Sequence, residues 1–519
     1  MSNATWFSSS FLIVGLAVSH EATAAAPVVV NPGFESDGTG VASPVGWTSV
    51  GSSNASYSEW GGHSDNLRLS HWSPNDYSVD TVQTVSGLSN GWYTLRGFVR
   101  RSAGQNDSSL VLDCGAQPES VEIPVAPADE WLQIVVSARA RRGSCTIALH
   151  TTASGGEWAN YDDIELVPGA AKLAVLGADV SSLKKSEDLG GAYFDDEARH
   201  QCRKRSALEI LAEHGVTDVR LRVWVDPADG YHNIAELVTM GRRARAAGLG
   251  VIVDLHYSDT WADPSNQTKP AAWAGFSVDQ LERAVFDHTL LACTSLRANG
   301  VTPNIIQIGN ELNSGMLFPD GSTWNPPNWD NLSRFLKAGY SAVKLCSPRT
   351  KVMLHLANGG DNGLYRWWFD NVTSRGVQFD VIGASYYPYW HGPFGPLQFN
   401  LNDVATHYLK EVMVIETAYP FTLGFKDSYP NSIGLESQLV SGYPATPAGQ
   451  AAGLRDVASI VRAVPNGLGL GISYWDATWT AVPGNGWDPS DPSSGDAWEN
   501  QALFDFDSKA LPAMDEFKP

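Results

Sequence analysis

The chain has 519 residues, 43% of them hydrophobic, so it is long enough for two or three domains with packed cores. Its 56 acidic side chains outnumber its 35 basic ones, and the net charge of −21 argues against a nucleic acid or an anionic membrane as partner. A neutral polymer is compatible with this charge and with the 19 Trp and 17 Tyr residues, since sugar C–H faces stack on aromatic rings. A monomer is the default expectation.

Residues 1–26 have the features of a secretion signal. An apolar stretch over residues 6–18 is too short to span a bilayer, and the small residues at 22–26 match a signal-peptidase site. The segment carries no Lys or Arg before the apolar stretch, which a wrongly assigned start codon would explain. We expect residues 1–26 to be removed and the protein to be exported to the periplasm or the medium. No other segment is expected to span a membrane.

The odd number of cysteines and their wide spacing do not form a metal-binding motif. In an oxidising compartment, Cys114 could pair with Cys145, and Cys293 with Cys346, which leaves Cys202 single. Free buried thiols are the alternative for each pair.

Residues 27–168 predict an all-β sandwich. Turn residues recur about every eight to twelve positions and no long helical period is present. Runs at 93–99, 108–112 and 132–136 are typical of its strands.

The two ends of this domain, 31–35 and 161–166, resemble the bracketing strands of galactose-fold carbohydrate-binding modules. The stretch 59–72 between them combines aromatic, amide and guanidinium groups, which suit a sugar platform. The domain thus resembles carbohydrate-binding module family 61, whose members bind β-1,4-galactan. The residues implied to contact sugar are Trp60, Arg68, Trp72 and Trp158, although some of these rings could belong to the core. Glu35 and Asp163 are candidates for a structural calcium site, with surface acids at strand ends as the alternative.

Residues 172–519 predict an eight-stranded (β/α)8 TIM barrel. Eight short apolar runs alternate with helical patterns, four of which are clear, at 234–247, 278–297, 329–345 and 448–463. No GxGxxG or P-loop motif follows any strand, which disfavours a nucleotide-binding fold. The strands are predicted at 176–180, 219–224, 251–256, 304–309, 352–356, 381–386, 412–416 and 469–475.

The carboxyl ends of the predicted strands are rich in polar and aromatic side chains. Two of them, strands four and seven, end in Glu311 and Glu416. Because active sites of such barrels lie at the carboxyl ends of the strands, these positions predict an active site with a carboxylate pair. The other notable residues there are Arg220, Arg222, Asp254, His256, Asp259, Asn310, His355, Tyr386, Trp390, Trp475 and Asp476.

The sequence excludes several other chemistries. No Ser or Cys lies in a nucleophile-elbow context, no HExxH motif occurs, and few His residues lie at strand ends, which disfavours a catalytic metal. Two carboxyl groups facing each other across a barrel mouth are what glycoside hydrolysis requires. One must be protonated to donate to the leaving oxygen, and the other must be ionised to attack the anomeric carbon.

This pattern resembles clan A of the glycoside hydrolases, in which Asn-Glu ends strand four and Glu ends strand seven. Within the clan, the long motif at 254–264 narrows the resemblance to glycoside hydrolase family 53, the endo-β-1,4-galactanases. The other motifs that carry it lie at 177–182, 221–224, 307–311, 416–420 and 498–505.

The resemblance implies that Glu311 is the acid/base and Glu416 the nucleophile of a retaining mechanism, with carboxyl groups about 5–5.5 Å apart. It implies that Asn310 binds the sugar 2-hydroxyl, that Arg222 lies against Glu416 and keeps it ionised, and that Tyr386 orients the same carboxylate. The other residues implied to line the cleft are Asp179, Asp254, His256, Asp259, His355, Trp390 and Trp475.

The resemblance also implies a structural calcium ion, because bacterial members of the family hold one between the loops after strands seven and eight. Here those loops are 427–431 and 491–496, and their side-chain oxygens suit the ion. The candidate ligands are Asp427, Asn431, Ser493 and Asp496, and the alternative is two solvated polar loops. The ion would stabilise the loops without taking part in the chemistry, and no organic cofactor is expected.

The leading hypothesis is a secreted endo-β-1,4-galactanase that acts on β-1,4-galactan of type I arabinogalactan and pectin side chains, with an appended galactan-binding module. The alternative within enzymes is another clan A endo-glycanase, such as a xylanase, mannanase or cellulase. The alternative outside enzymes is a non-catalytic polysaccharide-binding protein.

Overall fold

The computed structural model describes residues 28–195 and 204–518. The predicted signal segment and Cys202 therefore lie outside the described residues. Within them, none of the helices combines the length and the hydropathy needed to cross a bilayer.

The first domain is a sandwich of two five-stranded antiparallel sheets, as predicted. Buried and more exposed side chains alternate along strands such as Tyr77–Ser86, so one face of each sheet contributes to the core. The first sheet contains Thr48–Gly51, Tyr77–Ser86, Ser144–Ala153, Gln105–Asp113 and Glu119–Glu122 in spatial order. The second contains Ser56–Trp60, Leu67–Trp72, Trp158–Pro168, Gly91–Arg101 and Leu132–Ala140. The Cys114–Cys145 disulfide is present.

The second domain is a closed barrel of eight parallel strands, called here barrel strands one to eight. Almost every residue in them is buried, because the barrel interior and the surrounding helices cover both faces. The predicted strands agree with the observed ones to within two residues. The observed strands are Val175–Asp179, Asp218–Val223, Gly250–Leu255, Ile305–Ile308, Lys351–Leu356, Val381–Ser385, Glu411–Thr417 and Gly469–Tyr474.

Helices cover the outside of the barrel, and the four that the sequence predicts clearly are confirmed to within one residue at each end. The Cys293–Cys346 disulfide joins two of them. The described helices of the barrel domain are Leu183–Asp188, Ala207–Glu213, Ile234–Ala246, Val278–Ala298, Trp329–Cys346, Asn362–Ser374, Pro388–His391, Phe394–Tyr408 and Pro447–Arg462. Two short ribbons, Tyr193–Phe194 with Lys204–Arg205 and Gly315–Met316 with Gly321–Ser322, complete the domain.

The sandwich packs against the barrel through its edge strand Leu132–Ala140. The side chain of Gln398 accepts a hydrogen bond from the Gln133 N–H and donates one to the Gln133 carbonyl, both at 2.8 Å. Leu132 belongs to the same buried cluster as the barrel core. Leu132 thus joins the sandwich to the barrel core, and Gln398 caps the edge of the sandwich sheet.

Candidate active site

The two predicted carboxylates meet at the barrel mouth. Barrel strand four ends at Ile308, and the chain then turns through Gly309 and Glu311, both with positive φ. Glu416 lies near the end of strand seven. The Ser385 hydroxyl oxygen, at the end of strand six, is 2.6 Å from Glu311 Oε1 and 3.3 Å from Glu416 Oε2.

This shared hydroxyl limits the distance between the carboxylates. The two oxygens that Ser385 contacts at 2.6 and 3.3 Å are no more than about 5.9 Å apart, closer than the gap of inverting glycosidases.

A buried arginine lies beneath Glu416. Arg220 forms ion pairs with Glu416 at 2.8 Å, Asp254 at 2.9 Å and Asp179 at 3.1 Å. Burial alone would raise the pKa of Asp254, but the charges of Arg220 and His256 outweigh it and lower that pKa to about 2. The guanidinium therefore keeps Asp254 ionised and holds the Glu416 carboxylate in place.

The surroundings of the two glutamates separate their proton affinities. Burial raises the pKa of Glu311, and the nearby charge of Glu416 raises it further. Burial also raises the pKa of Glu416, but the Arg220 guanidinium opposes that rise. Two buried carboxyl groups this close cannot both be ionised at little cost. The pair therefore keeps one proton, which resides on Glu311 while Glu416 stays ionised.

Two implied contacts to Glu416 are wrong. Arg222 is paired with Asp476 at 3.3 Å and its guanidinium carbon lies 3.9 Å from the centre of the Trp261 ring. Arg220, two residues earlier on the same face of strand two, reaches Glu416 because it lies deeper in the barrel.

The second wrong contact concerns the tyrosines after strand six. The Tyr386 hydroxyl donates to the Gly392 carbonyl at 2.6 Å, whereas the Tyr387 hydroxyl donates to Glu416 Oε2 at 3.1 Å. Strand six shifts register against strand seven between Ala384 and Ser385. That irregularity changes which of the following side chains faces the barrel mouth.

A cleft of about 820 Å³ opens over the carboxylates. Five further predicted residues line it, namely Arg222, His256, Asp259, Asn310 and Trp475. Tryptophans that were not among the candidates form much of its wall, namely Trp261, Trp479, Trp487 and Trp498. Trp261 and Trp498 lie within the sequence motifs at 254–264 and 498–505, so those motifs carried a signal for them.

The remaining predicted cleft residues lie elsewhere. Asp179, Asp254 and His355 are fully buried under the floor of the cleft, where they support its polar groups rather than line it. His355, for example, contacts the Asn310 amide oxygen at 3.0 Å and the Ser385 hydroxyl at 2.8 Å. Trp390 is 52% exposed beside the cleft wall, with its ring centre 6.0 Å from that of Trp498.

The sandwich carries a second groove, of about 440 Å³. Three of the four predicted sugar-contacting residues, Arg68, Trp72 and Trp158, line it. Trp60 is 62% exposed but is not part of the groove lining. The other residues of the groove are Tyr57, Glu59, Ser70, Arg100, Ala128 and Asn160.

The calcium site predicted in the sandwich has no support from the geometry. Glu35 accepts two backbone hydrogen bonds, from Asn66 and Leu67, and Asp163 is occupied by His63 and Ser64. Across residues 28–195 and 204–518, no group of three or more His, Cys, Asp or Glu side chains is arranged as a metal site.

The two loops after strands seven and eight fit a cation better. Asp427 Oδ2 accepts a hydrogen bond from the Asp496 N–H at 2.8 Å, which joins the loops. Two buried oxygens there, Asn431 Oδ1 and Asp496 Oδ2, have no hydrogen-bond partner within the described part of the chain. Burial, and then the charge of Glu499, raises the pKa of Asp496. Ser493, the fourth predicted ligand, is exposed, and its hydroxyl donates to Asp491 in its own loop at 2.6 Å.

Residues 175–517 match the family model described as Glycosyl hydrolase family 53. The chain belongs to glycoside hydrolase family 53. It is therefore a glycoside hydrolase, and its barrel mouth is the place where the family's chemistry is expected.

Relatives of known activity and solved structure agree with this membership. An arabinogalactan endo-beta-1,4-galactanase from Thermothelomyces thermophilus is 38% identical over 315 residues, which cover 59% of this chain and 90% of the relative. The catalytic domain of an Ignisphaera aggregans family 53 protein is 40% identical, with a TM-score of 0.63 over 66% of this chain and 95% of that structure. A structure from a study of two fungal beta-1,4-galactanases is 36% identical, with a TM-score of 0.58 over 67% and 99% of the two chains.

Proposed function

We propose that this family 53 protein is a secreted endo-β-1,4-galactanase that cleaves its substrate with retention of configuration. The observation that carries the mechanism is the Glu311–Ser385–Glu416 arrangement, in which one hydroxyl contacts both carboxylates. The substrate is supported by the galactanase relatives, which are similar over nearly their whole length.

In this mechanism the proton on Glu311 passes to the glycosidic oxygen while the Glu416 carboxylate attacks the anomeric carbon. Arg220 and the Tyr387 hydroxyl hold that carboxylate in position. Water then attacks the glycosyl-enzyme, and Glu311, now ionised, accepts its proton. The product keeps the anomeric configuration of the substrate.

The substrate is tested by measuring the reducing ends released from galactan, xylan, mannan and β-glucan. We expect galactan to be cleaved best. A xylan, mannan or glucan preference would favour the alternative endo-glycanases instead. Proton NMR of the first product formed gives the stereochemistry, and an inverted anomer would exclude the double displacement.

The role of Glu416 separates an enzyme from a binding protein. We expect Glu416→Ala to lower galactan hydrolysis at least about a thousandfold, because the nucleophile is lost, while galactan binding persists. Glu436→Ala, at an exposed position in the segment after strand seven, is the matched control. Equal turnover by wild type and Glu416→Ala would refute the assignment.

We also propose that the sandwich groove binds β-1,4-galactan. Its two tryptophans, Trp72 and Trp158, are paired across neighbouring strands, and Trp72 is 40% exposed, so a ring face is accessible to sugar. Arg68 and Asn160 add planar donors beside these rings. Trp158→Ala is expected to weaken retention of the protein on galactan in affinity electrophoresis without changing cleavage of short oligosaccharides.

We propose a structural calcium ion between the loops after strands seven and eight, with Asp427, Asn431 and Asp496 as ligands. The two unpartnered buried oxygens support it, since a cation would satisfy both. Thermal unfolding is expected to shift to lower temperature in EGTA and to recover with CaCl₂. Asp496→Asn should abolish the calcium response, while Ser493→Ala should keep it. A melting temperature indifferent to calcium in the wild type would contradict the site.

Export of the protein is likewise a proposal. It is supported by the two disulfides, which persist in oxidising compartments. Recovery of the protein from the medium or periplasm, lacking residues 1–26 by N-terminal sequencing, is the expected result.

A further inference from the structure

The domain interface brings one end of the sandwich groove next to the barrel. Ala128 lines the groove, and Glu130, two residues later, accepts a hydrogen bond from the Gly395 N–H at 3.2 Å. Gly395 lies at the start of the helix Phe394–Tyr408, just after strand six. The groove therefore ends beside the loop that follows strand six.

An arginine and a tryptophan extend the groove toward this contact. The Arg100 guanidinium carbon lies 5.8 Å from the centre of the Trp158 ring and 4.4 Å from that of Trp131. Arg100 Nη1 also donates to the Ala128 carbonyl at 2.8 Å. Trp131, which directly follows Glu130, is partly exposed, so Arg100 lies between a groove tryptophan and a tryptophan beside the interface.

On the barrel side, the loop after strand six continues the path to the catalytic carboxylates. The exposed Trp390 ring lies 5.4 Å from Tyr387, whose hydroxyl contacts Glu416, and 6.0 Å from Trp498 in the cleft wall. Trp390 and Gly395 are five positions apart in the chain, so their Cα atoms are at most about 18 Å apart. The exposed Trp390 ring thus lies between the cleft wall and the contact of Gly395 with the sandwich.

The interface fixes the two surfaces relative to each other. Besides the Gln398 contacts, the Val125 N–H donates to the Tyr443 hydroxyl at 3.0 Å and Arg455 pairs with Glu122 at 2.7 Å. Backbone groups of the sandwich edge are thereby bonded to barrel side chains at several points. The groove is held in one orientation instead of hanging from a flexible linker.

We propose that the cleft and the sandwich groove form one continuous binding surface for a single galactan chain, which runs over Trp390 and Trp131. The groove is then a remote extension of the active site and not an independent targeting module. This inference rests on the proposed galactanase function. It assigns to Arg100, Trp131 and Trp390 a part in holding chains that are already seated in the cleft.

Calorimetric titration of Glu311→Gln, which is expected not to cleave its ligands, with galacto-oligosaccharides of increasing length tests the proposal. Short oligosaccharides should bind the cleft and the groove separately, two per protein. Above a threshold length, one oligosaccharide should bind per protein, at least about tenfold more tightly, because the second contact becomes intramolecular.

A second substitution in the same background identifies the groove as the cause. Arg100→Ala should remove the gain in affinity at long lengths and leave short-chain binding in the cleft unchanged. Arg96→Ala is the matched control, because Arg96 lies on the same strand but pairs with Glu165 outside the groove. Trp158→Ala tests the same point if Arg100→Ala does not fold.

The outcomes separate this inference from the proposed function. Two oligosaccharides bound per protein at every length, with no gain in affinity, would overturn the continuous surface and leave the galactanase intact. No binding of galacto-oligosaccharides to the cleft, together with no hydrolysis of galactan by the wild type, would overturn both.

Discussion

Ser385 is the residue on which the arrangement of the two carboxylates depends. Its hydroxyl contacts Glu311, Glu416 and the ring of His355. Burial, and then the charge of Arg220, lowers the pKa of His355, so this ring is neutral, with one nitrogen a donor and the other an acceptor. The hydroxyl has only one proton, and its orientation must follow the protonation of Glu311.

The pH dependence of activity should report this contact. Turnover needs Glu416 ionised and Glu311 protonated, so the rate should fall at low pH as Glu416 gains a proton and at high pH as Glu311 loses its own. The Ser385 hydroxyl stabilises ionised Glu311 and thereby lowers its pKa. In Ser385→Ala the alkaline limb of the kcat profile should therefore move to higher pH, by about one unit.

The matched control is Ser473→Ala in strand eight. The Ser473 hydroxyl is buried and has no partner among the residues that the structure describes, so its removal should leave both limbs in place. An unshifted alkaline limb in Ser385→Ala, with kcat lowered at all pH values, would show that Ser385 only shapes the floor of the cleft.

The sequence could predict Glu311 and Glu416, because each follows an apolar run at the carboxyl end of a barrel strand. It could not decide between Arg220 and Arg222, since both lie on the same face of strand two and only depth in the barrel separates them. It could not decide between Tyr386 and Tyr387 either. That choice depends on the register shift at Ser385, which neither the composition nor the spacing of apolar residues can predict.

At the scale of elements, the helix Val278–Ala298 shows why helix bounds could be predicted well. It begins at a capping box, in which the Ser277 side chain accepts from the Gln280 N–H and the Gln280 side chain accepts from the Ser277 N–H. Cap residues and the spacing of apolar side chains are local signals, so they can be read from the sequence. Contacts between residues far apart in the chain have no such local signal.

Ser277→Ala should destabilise the barrel domain by about 1 kcal/mol, because the Gln280 N–H at the start of the helix loses its side-chain partner. Urea unfolding followed by fluorescence, with the midpoint and slope compared to wild type, measures this change. Ser295→Ala, inside the same helix, should not lower the midpoint, since alanine favours helix interiors. A Ser277→Ala midpoint equal to that of wild type would show that water replaces the cap fully.

At the scale of the whole molecule, the sequence could predict an all-β part and a barrel but not how they dock. The two parts could be told apart because short strands give way to alternating strands and helices near residue 170. Among the docking contacts is a buried glutamine, Gln398, whose amide caps the edge of a distant sheet. A polar residue within a helical pattern gives no sign of such a partner.

Removing that amide should uncouple the domains. In Gln398→Ala, the Gln133 N–H and carbonyl lose their partners at a buried interface, and each unsatisfied group costs about 1–3 kcal/mol. Differential scanning calorimetry of this variant is expected to show the sandwich unfolding at a lower temperature than the barrel. In the wild type, the two unfolding transitions should lie closer together in temperature. Gln378→Ala, at an exposed position, is the control. A Gln398→Ala thermogram that matches the wild type would mean that the shared apolar contacts around Leu132 suffice to hold the two domains together.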